Sequence, residues 1–247
     1  MSAIPARAPH PALSRTGPVT LGQAAWALMF VALYIAVVAG ATLLLGFSGI
    51  IEFTLEPVLP VLLAMVTAAA ILALYIHLFR RNRLSLADVG FRRPTPRLFH
   101  LLWQIPATIL TCALAQVLVF AALALTGVDT ASAGTADDSL TGIANLPAPL
   151  LVVALLVIAV LTPLWEEALF RGAFLDGLSR RFRPGVAIIL SAALFAAVHV
   201  IPLSFVYLFT LGIALALLRR FHRNLWAPIL LHAANNALVA LLILNAV

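Results

Sequence analysis

The chain contains no lysine, a single cysteine and only 10% charged residues over 247 positions. Soluble domains carry about 25% charge, because their surfaces must be wetted. Too little polar surface is available here to coat a water-soluble globule. The remainder is 64% hydrophobic, with a mean hydropathy of +1.11, so lipid is the expected solvent. The lone Cys112 excludes a disulfide framework or a cysteine-based metal site, and inside an apolar run it reads as a small packing residue. With lysine absent, all 15 basic residues are arginines and the net charge is +6. These arginines fall between hydrophobic runs, where they set membrane topology. No nucleic-acid partner is expected.

Seven hydrophobic runs read as membrane helices: Gly22–Phe47, Pro57–Phe79, Leu98–Leu125, Ala148–Leu164, Val186–His199, Leu203–Leu218 and Leu225–Leu244. The fifth and sixth are short, separated by Val200, Ile201 and Pro202, and fit either a tight pair or one re-entrant excursion. A less hydrophobic eighth helix could lie in Glu167–Arg181. The fold class is therefore all-α, a polytopic transmembrane bundle of about seven or eight helices. Residues 1–20, with four prolines, read as a disordered cytoplasmic tail, and 21–247 as one transmembrane domain. The small-residue stretch Ala39-Gly40-Ala41 imitates a signal-peptide cleavage site. The first run continues past it and is longer than a signal core, so it is expected to be a retained span.

Charge supports this layout. With the N-terminus in the cytoplasm, the cytoplasmic segments receive Arg7 and Arg15, then Arg80 to Arg97, then Arg171 to Arg183, then Arg219, Arg220 and Arg223. The opposite side receives Glu52, Glu56, Asp129, Asp137 and Asp138 and no basic residue. Arginine bias of this kind sets orientation. The expectation is a multi-pass cell-membrane protein, N-terminus inside, in contact with membrane lipids.

Ionisable residues inside apolar helices are costly and point to function. Three clusters stand out between residues 160 and 240. In Thr162-Pro163-Leu164-Trp165-Glu166-Glu167, Pro163 interrupts the run, and Thr162 and Pro163 resemble an N-cap and first helical position, so a fresh helix is expected there. On it, Glu167 and Arg171 are four apart and can form an ion pair, while Glu166 lies about 100° away and stays free. The second cluster is Phe195 and His199, on one face at the end of the fifth run. The third is His232 with Asn236 on one face and Asn235 beside it, one turn after Pro228, which should kink that helix. Each cluster alone also fits a salt bridge, an interfacial histidine or an interhelical hydrogen bond. Together they supply a carboxylate base, histidines to position a water, and donors for an oxyanion. Glu166, His199 and His232 equally satisfy the ligand set of a catalytic zinc. The sequence leaves the cofactor open between a divalent metal such as zinc and none.

The ordered motifs Glu166-Glu167-x-x-x-Arg171, Phe195-x-x-x-His199 and His232-x-x-x-Asn236 resemble those of the bacterial CPBP/Abi family, similar to the type II CAAX prenyl endopeptidases. The resemblance covers roughly residues 160–240. It implies an all-helical intramembrane endopeptidase of eight helices, described both as a metalloprotease and as a metal-independent glutamate protease. It also implies Glu166 as general base, His199 as its partner on the water, His232 and Asn236 as oxyanion donors, and Glu167 with Arg171 as a supporting ion pair. The alanine-, leucine- and arginine-rich composition resembles that of a GC-rich bacterium, where prenylated proteins are generally lacking. A membrane-embedded or lipid-proximal peptide at the cytoplasmic leaflet is therefore the expected substrate. The alternatives are a non-catalytic membrane binding or bacteriocin self-immunity protein, and a transporter using the same groups as a proton relay.

Overall fold

A computed structural model describes residues 19–50, 55–127 and 146–245. The tail expected over residues 1–20 lies outside them up to residue 18, as do Glu52 and the acidic loop 128–145. Among the described residues every regular element is a helix: α1 (Leu21–Phe47), α2 (Leu55–Leu74, prolonged by a π turn Tyr75–Arg80), α3 (Leu86–Val89), α4 (Leu101–Leu125, entered through a 3-10 turn Pro96–His100), α5 (Ala148–Ser179), α6 (Pro184–Val198), α7 (Phe205–His222) and α8 (Trp226–Leu244). Five of them, α1, α2, α4, α5 and α7, are long and apolar enough to cross a bilayer, while α6 and α8 are shorter apolar helices. The expected helical membrane bundle is the fold, and its eighth helix is the short α3.

α1 starts where Thr20 and Gln23 form a capping box, the Gln23 amide N–H reaching the Thr20 hydroxyl and Gln23 Oε1 accepting from the Thr20 N–H. Gln23 Nε2 then donates to Asn82, whose own amide donates to the carbonyls of His77 and Leu78 at the end of α2. One side chain thus locks two helix ends. Buried Ala24 and Ala27 of α1 and Ala70 and Ala73 of α2 belong to one apolar cluster. Small residues of this kind let membrane helices approach closely.

Among the described residues, the arginine-bearing segments 80–97, 171–183 and 219–223 meet at one end of the bundle. α3 closes with Gly90 in the left-handed region at φ +110°, its Cα so near the Arg219 guanidinium that a Cβ would lie 2.6 Å from it. The Leu225 N–H donates to the Gly90 carbonyl, and Arg219 pairs with Asp176 of α5 at 3.3 Å. On the other side of α3, Gly172 of α5 packs against the Val89 carbonyl.

Three local expectations change. α5 does not restart at Thr162 but runs unbroken from Ala148 to Ser179, so Glu167–Arg181 is its continuation and not a separate helix. A π turn at Val157–Leu161 takes up the proline: the Thr162 N–H reaches back five residues to the Val157 carbonyl. Pro228 lies in the first turn of α8, where its missing N–H has no intrahelical acceptor in any case, so it starts the helix and does not kink its interior. The fifth and sixth runs form an antiparallel pair, α6 and α7, packed where Gly212 approaches Ala192. A 15-residue α6 rises about 22 Å, short of a hydrocarbon core of about 30 Å. It begins beside the arginine-bearing residues 180–183 and ends with His199 as its C-cap.

Candidate active site

The π register of α5 sets the first part of the site. Continuing that register, the next N–H would belong to residue 163 and its acceptor would be the Ile158 carbonyl. Proline has no N–H, so that carbonyl is left over. Asn236 of α8 supplies the donor, its Nδ2 lying 3.0 Å from the Ile158 oxygen. A side chain from the third motif thus completes the backbone just ahead of the first. Downstream, Thr162–Glu167 is α-helical and is followed by a second π stretch, Ala168–Phe174. π turns of this kind recur at functional sites.

Between these turns both glutamates are buried, and His232 receives both. Its Nδ1 lies 2.9 Å from Glu167 Oε1, and its Nε2 lies 3.7 Å from Glu166 Oε2. The same Glu167 oxygen accepts from Arg171 Nη1 at 2.8 Å, with both side chains fully buried. Arg171 Nη2 reaches the Gly212 carbonyl at 3.4 Å, and the guanidinium lies 4.3 Å from the centre of the Phe195 ring. Arg171, Glu167, His232 and Glu166 therefore form one chain of contacts. Because Nδ1 faces an acceptor already held by a guanidinium, Nδ1 is the ring nitrogen that carries hydrogen, and Nε2 is turned to Glu166. Glu166 Oε2 makes no hydrogen bond among the described residues. Of the helical-wheel expectation, the Glu167–Arg171 pair is present, while Glu166, expected to stay free, faces His232 instead.

His199 closes the opposite side. Its Nδ1 lies 2.7 Å from the Phe195 carbonyl, which can only accept, so its lone pair resides on Nε2. It is half-buried and lies within electrostatic reach of Glu166, as does His232. Phe195, fully buried, makes edge contacts with both imidazoles at centroid distances of 4.7 and 5.6 Å.

Asn236 belongs to a further string. Asn235 Nδ2 donates to Asn236 Oδ1 at 3.3 Å, and the Tyr207 hydroxyl donates to Asn235 Oδ1 at 2.5 Å. Neither Tyr207 nor the packing role of Phe195 was reached from the sequence, although Tyr207 is one of only three tyrosines and lies within an apolar run. Glu166, Glu167, Arg171, His199, His232 and Asn236 are all brought to this region. The conditional zinc set Glu166, His199 and His232 is not drawn into ligand geometry: among the described residues no group of three or more His, Cys, Asp or Glu side chains is spaced to hold a metal ion.

Comparisons with curated proteins and with solved structures find no match. Residues 148–238 do match a family model, described as type II CAAX prenyl endopeptidase Rce1-like. That stretch contains every side chain of the cluster, from the Glu166 and Glu167 pair to Asn236. A chain with five helices long and apolar enough to cross a bilayer is thus similar, over residues 148–238, to the type II CAAX prenyl endopeptidase Rce1-like family.

Proposed function

We propose that this site hydrolyses a peptide bond of a membrane-embedded or lipid-proximal substrate, with Glu166 as general base. The observation that carries the reading is the unpartnered Oε2 of Glu166, buried opposite a histidine that is itself held by an Arg171–Glu167 pair. Water gives a proton to Glu166 while its oxygen attacks the scissile carbonyl. His199 Nε2, its tautomer fixed by the Phe195 carbonyl, accepts a hydrogen bond from the same water and orients it. As the tetrahedral oxyanion forms, two donors stabilise it. One is the second Nδ2–H of Asn236, whose first is engaged by Ile158. The other is His232, entering the step as imidazolium: its Nδ1–H stays on Glu167, and the Nε2–H, carried in beforehand and kept throughout, donates to the oxyanion. Collapse breaks the C–N bond, and the proton held by Glu166 leaves with the amine.

The chain is read as a multi-pass cell-membrane protein with the arginine-rich end in the cytoplasm. Glu166 lies nearer the arginine-rich end of α5 than its other end, which favours substrates presented from the cytoplasmic side. Purified protein in lipid, offered farnesylated and unmodified membrane-proximal peptides, tests this directly. Wild type is expected to cleave and Glu166→Ala to lose at least about 10³-fold while remaining folded. Activity surviving a chelator would identify a metal-independent glutamate peptidase, and loss on chelation would identify a metal enzyme. A folded wild type that binds these peptides without cutting them would support the non-catalytic binding or immunity reading instead.

A further inference from the structure

An apolar groove of about 540 Å³ runs between the start of α4 and α8. Phe99, Leu102, Ile105 and Pro106 form one wall, and Leu230 and Ala234 the other. Leu230 and Ala234 are one turn apart on α8, and His232, two residues from each, points about 200° around the helix from both. The groove and the glutamate–histidine cluster therefore occupy opposite faces of the same helix. Phe99 and Leu102 are 76% and 80% exposed, and on a bilayer-crossing helix such exposure is contact with hydrocarbon.

The groove's lining is apolar throughout, and polar side chains flank the groove toward the arginine-rich rim. Leu98 lines it, and the preceding residue is Arg97, exposed, with Nη1 on the Phe221 carbonyl at 3.2 Å and the guanidinium 5.8 Å from the Phe221 ring centre. His100 packs edge-on against the same ring at 5.5 Å. Its Nδ1 accepts from Trp103 Nε1 at 3.3 Å, so its own hydrogen sits on Nε2 as a further donor. The two acidic residues of this end of the bundle are engaged elsewhere, Asp88 by Ser85 and Asp176 by Arg219. Arg97 makes no ion pair among the described residues.

We propose that this groove is a binding site for an anionic phospholipid, one acyl chain lying between α4 and α8 and the phosphate at Arg97 and His100. The apolar walls accept the chain, and the positive rim selects the headgroup, as basic pockets between membrane helices do. The bound lipid supports the back of the helix that carries His232 and Asn236. It requires no peptidase activity and stands apart from the hydrolytic reading.

Native mass spectrometry of the full chain, supplied with phosphatidylglycerol or phosphatidylcholine of identical acyl chains, tests it. Wild type should retain phosphatidylglycerol about fivefold better, the effect of one arginine at an anionic surface. Arg97→Gln should abolish that preference, and Ala234→Phe, which fills the groove, should weaken retention of both lipids. Equal retention by wild type, or a preference unchanged in Arg97→Gln, overturns the proposal. So does unchanged retention by an Ala234→Phe variant that elutes as wild type on gel filtration. Should that variant fail to fold, the exposed Arg97→Gln change decides.

Discussion

Two arginine–carboxylate pairs bracket the C-terminal half of the molecule, and they differ in almost every respect but chemistry. Arg171–Glu167 is local, four residues apart on α5, 2.8 Å long and sealed from solvent. Arg219–Asp176 joins α7 to α5 at 3.3 Å, with side chains 12% and 14% exposed. The inner pair is surrounded by partners that use it: His232 shares the Glu167 oxygen, Phe195 faces the guanidinium, and the Gly212 carbonyl takes a further N–H. The outer pair instead clamps α3, Arg219 also reaching the Val89 carbonyl. One ion pair holds an imidazole of the candidate site, and the other holds α3 against α5 and α7.

Substitutions should separate these roles. The largest effect is expected from Arg171→Ala, which strands a buried carboxylate beside His232. A loss of about 3–5 kcal/mol, read as a large fall in the unfolding midpoint in detergent, would confirm that Glu167 depends on it. A midpoint near wild type would place the pair's importance elsewhere. An intermediate effect is expected from Tyr207→Phe, which frees Asn235 without disturbing the apolar packing. About 1 kcal/mol of stability is at stake, together with about a tenfold fall in kcat at unchanged KM, as Asn236 loses its fixed orientation. A rise in KM instead would put Tyr207 against the substrate. The smallest effect is expected from Arg219→Ala, about 1 kcal/mol with cleavage retained. Loss of cleavage in that variant would show the two pairs to be coupled through α5.

Much of this was legible in the residues themselves. The spacing of Glu167 and Arg171 lets them pair on one helix face, and His232, Asn236 and His199 declared themselves because polar groups in apolar runs are costly. The sorting of arginines anticipated that their segments would meet at one end. The course of α5 was not legible. Pro163 reads as a helix break by its own chemistry, and only the Asn236 amide, 73 residues downstream, satisfies the carbonyl that the proline leaves over. Pro228 misled for the opposite reason: its effect depends on where α8 begins, which the apolar run alone does not reveal. The Tyr207–Asn235 bond joins two helices, and no periodicity within either one announces it.

The π turn ahead of Pro163 also has the character of a phase shift. It places one more residue in its turn than an α-helix would, so every side chain after it is rotated by about 100° from where an unbroken α-helix would carry it. Glu166 faces His232 only in this phase. A related chain lacking one residue between 157 and 161, and with an ordinary residue in place of the proline, would bring the same carboxylate to the same azimuth. Its asparagine would then have no carbonyl to complete and would be free to vary.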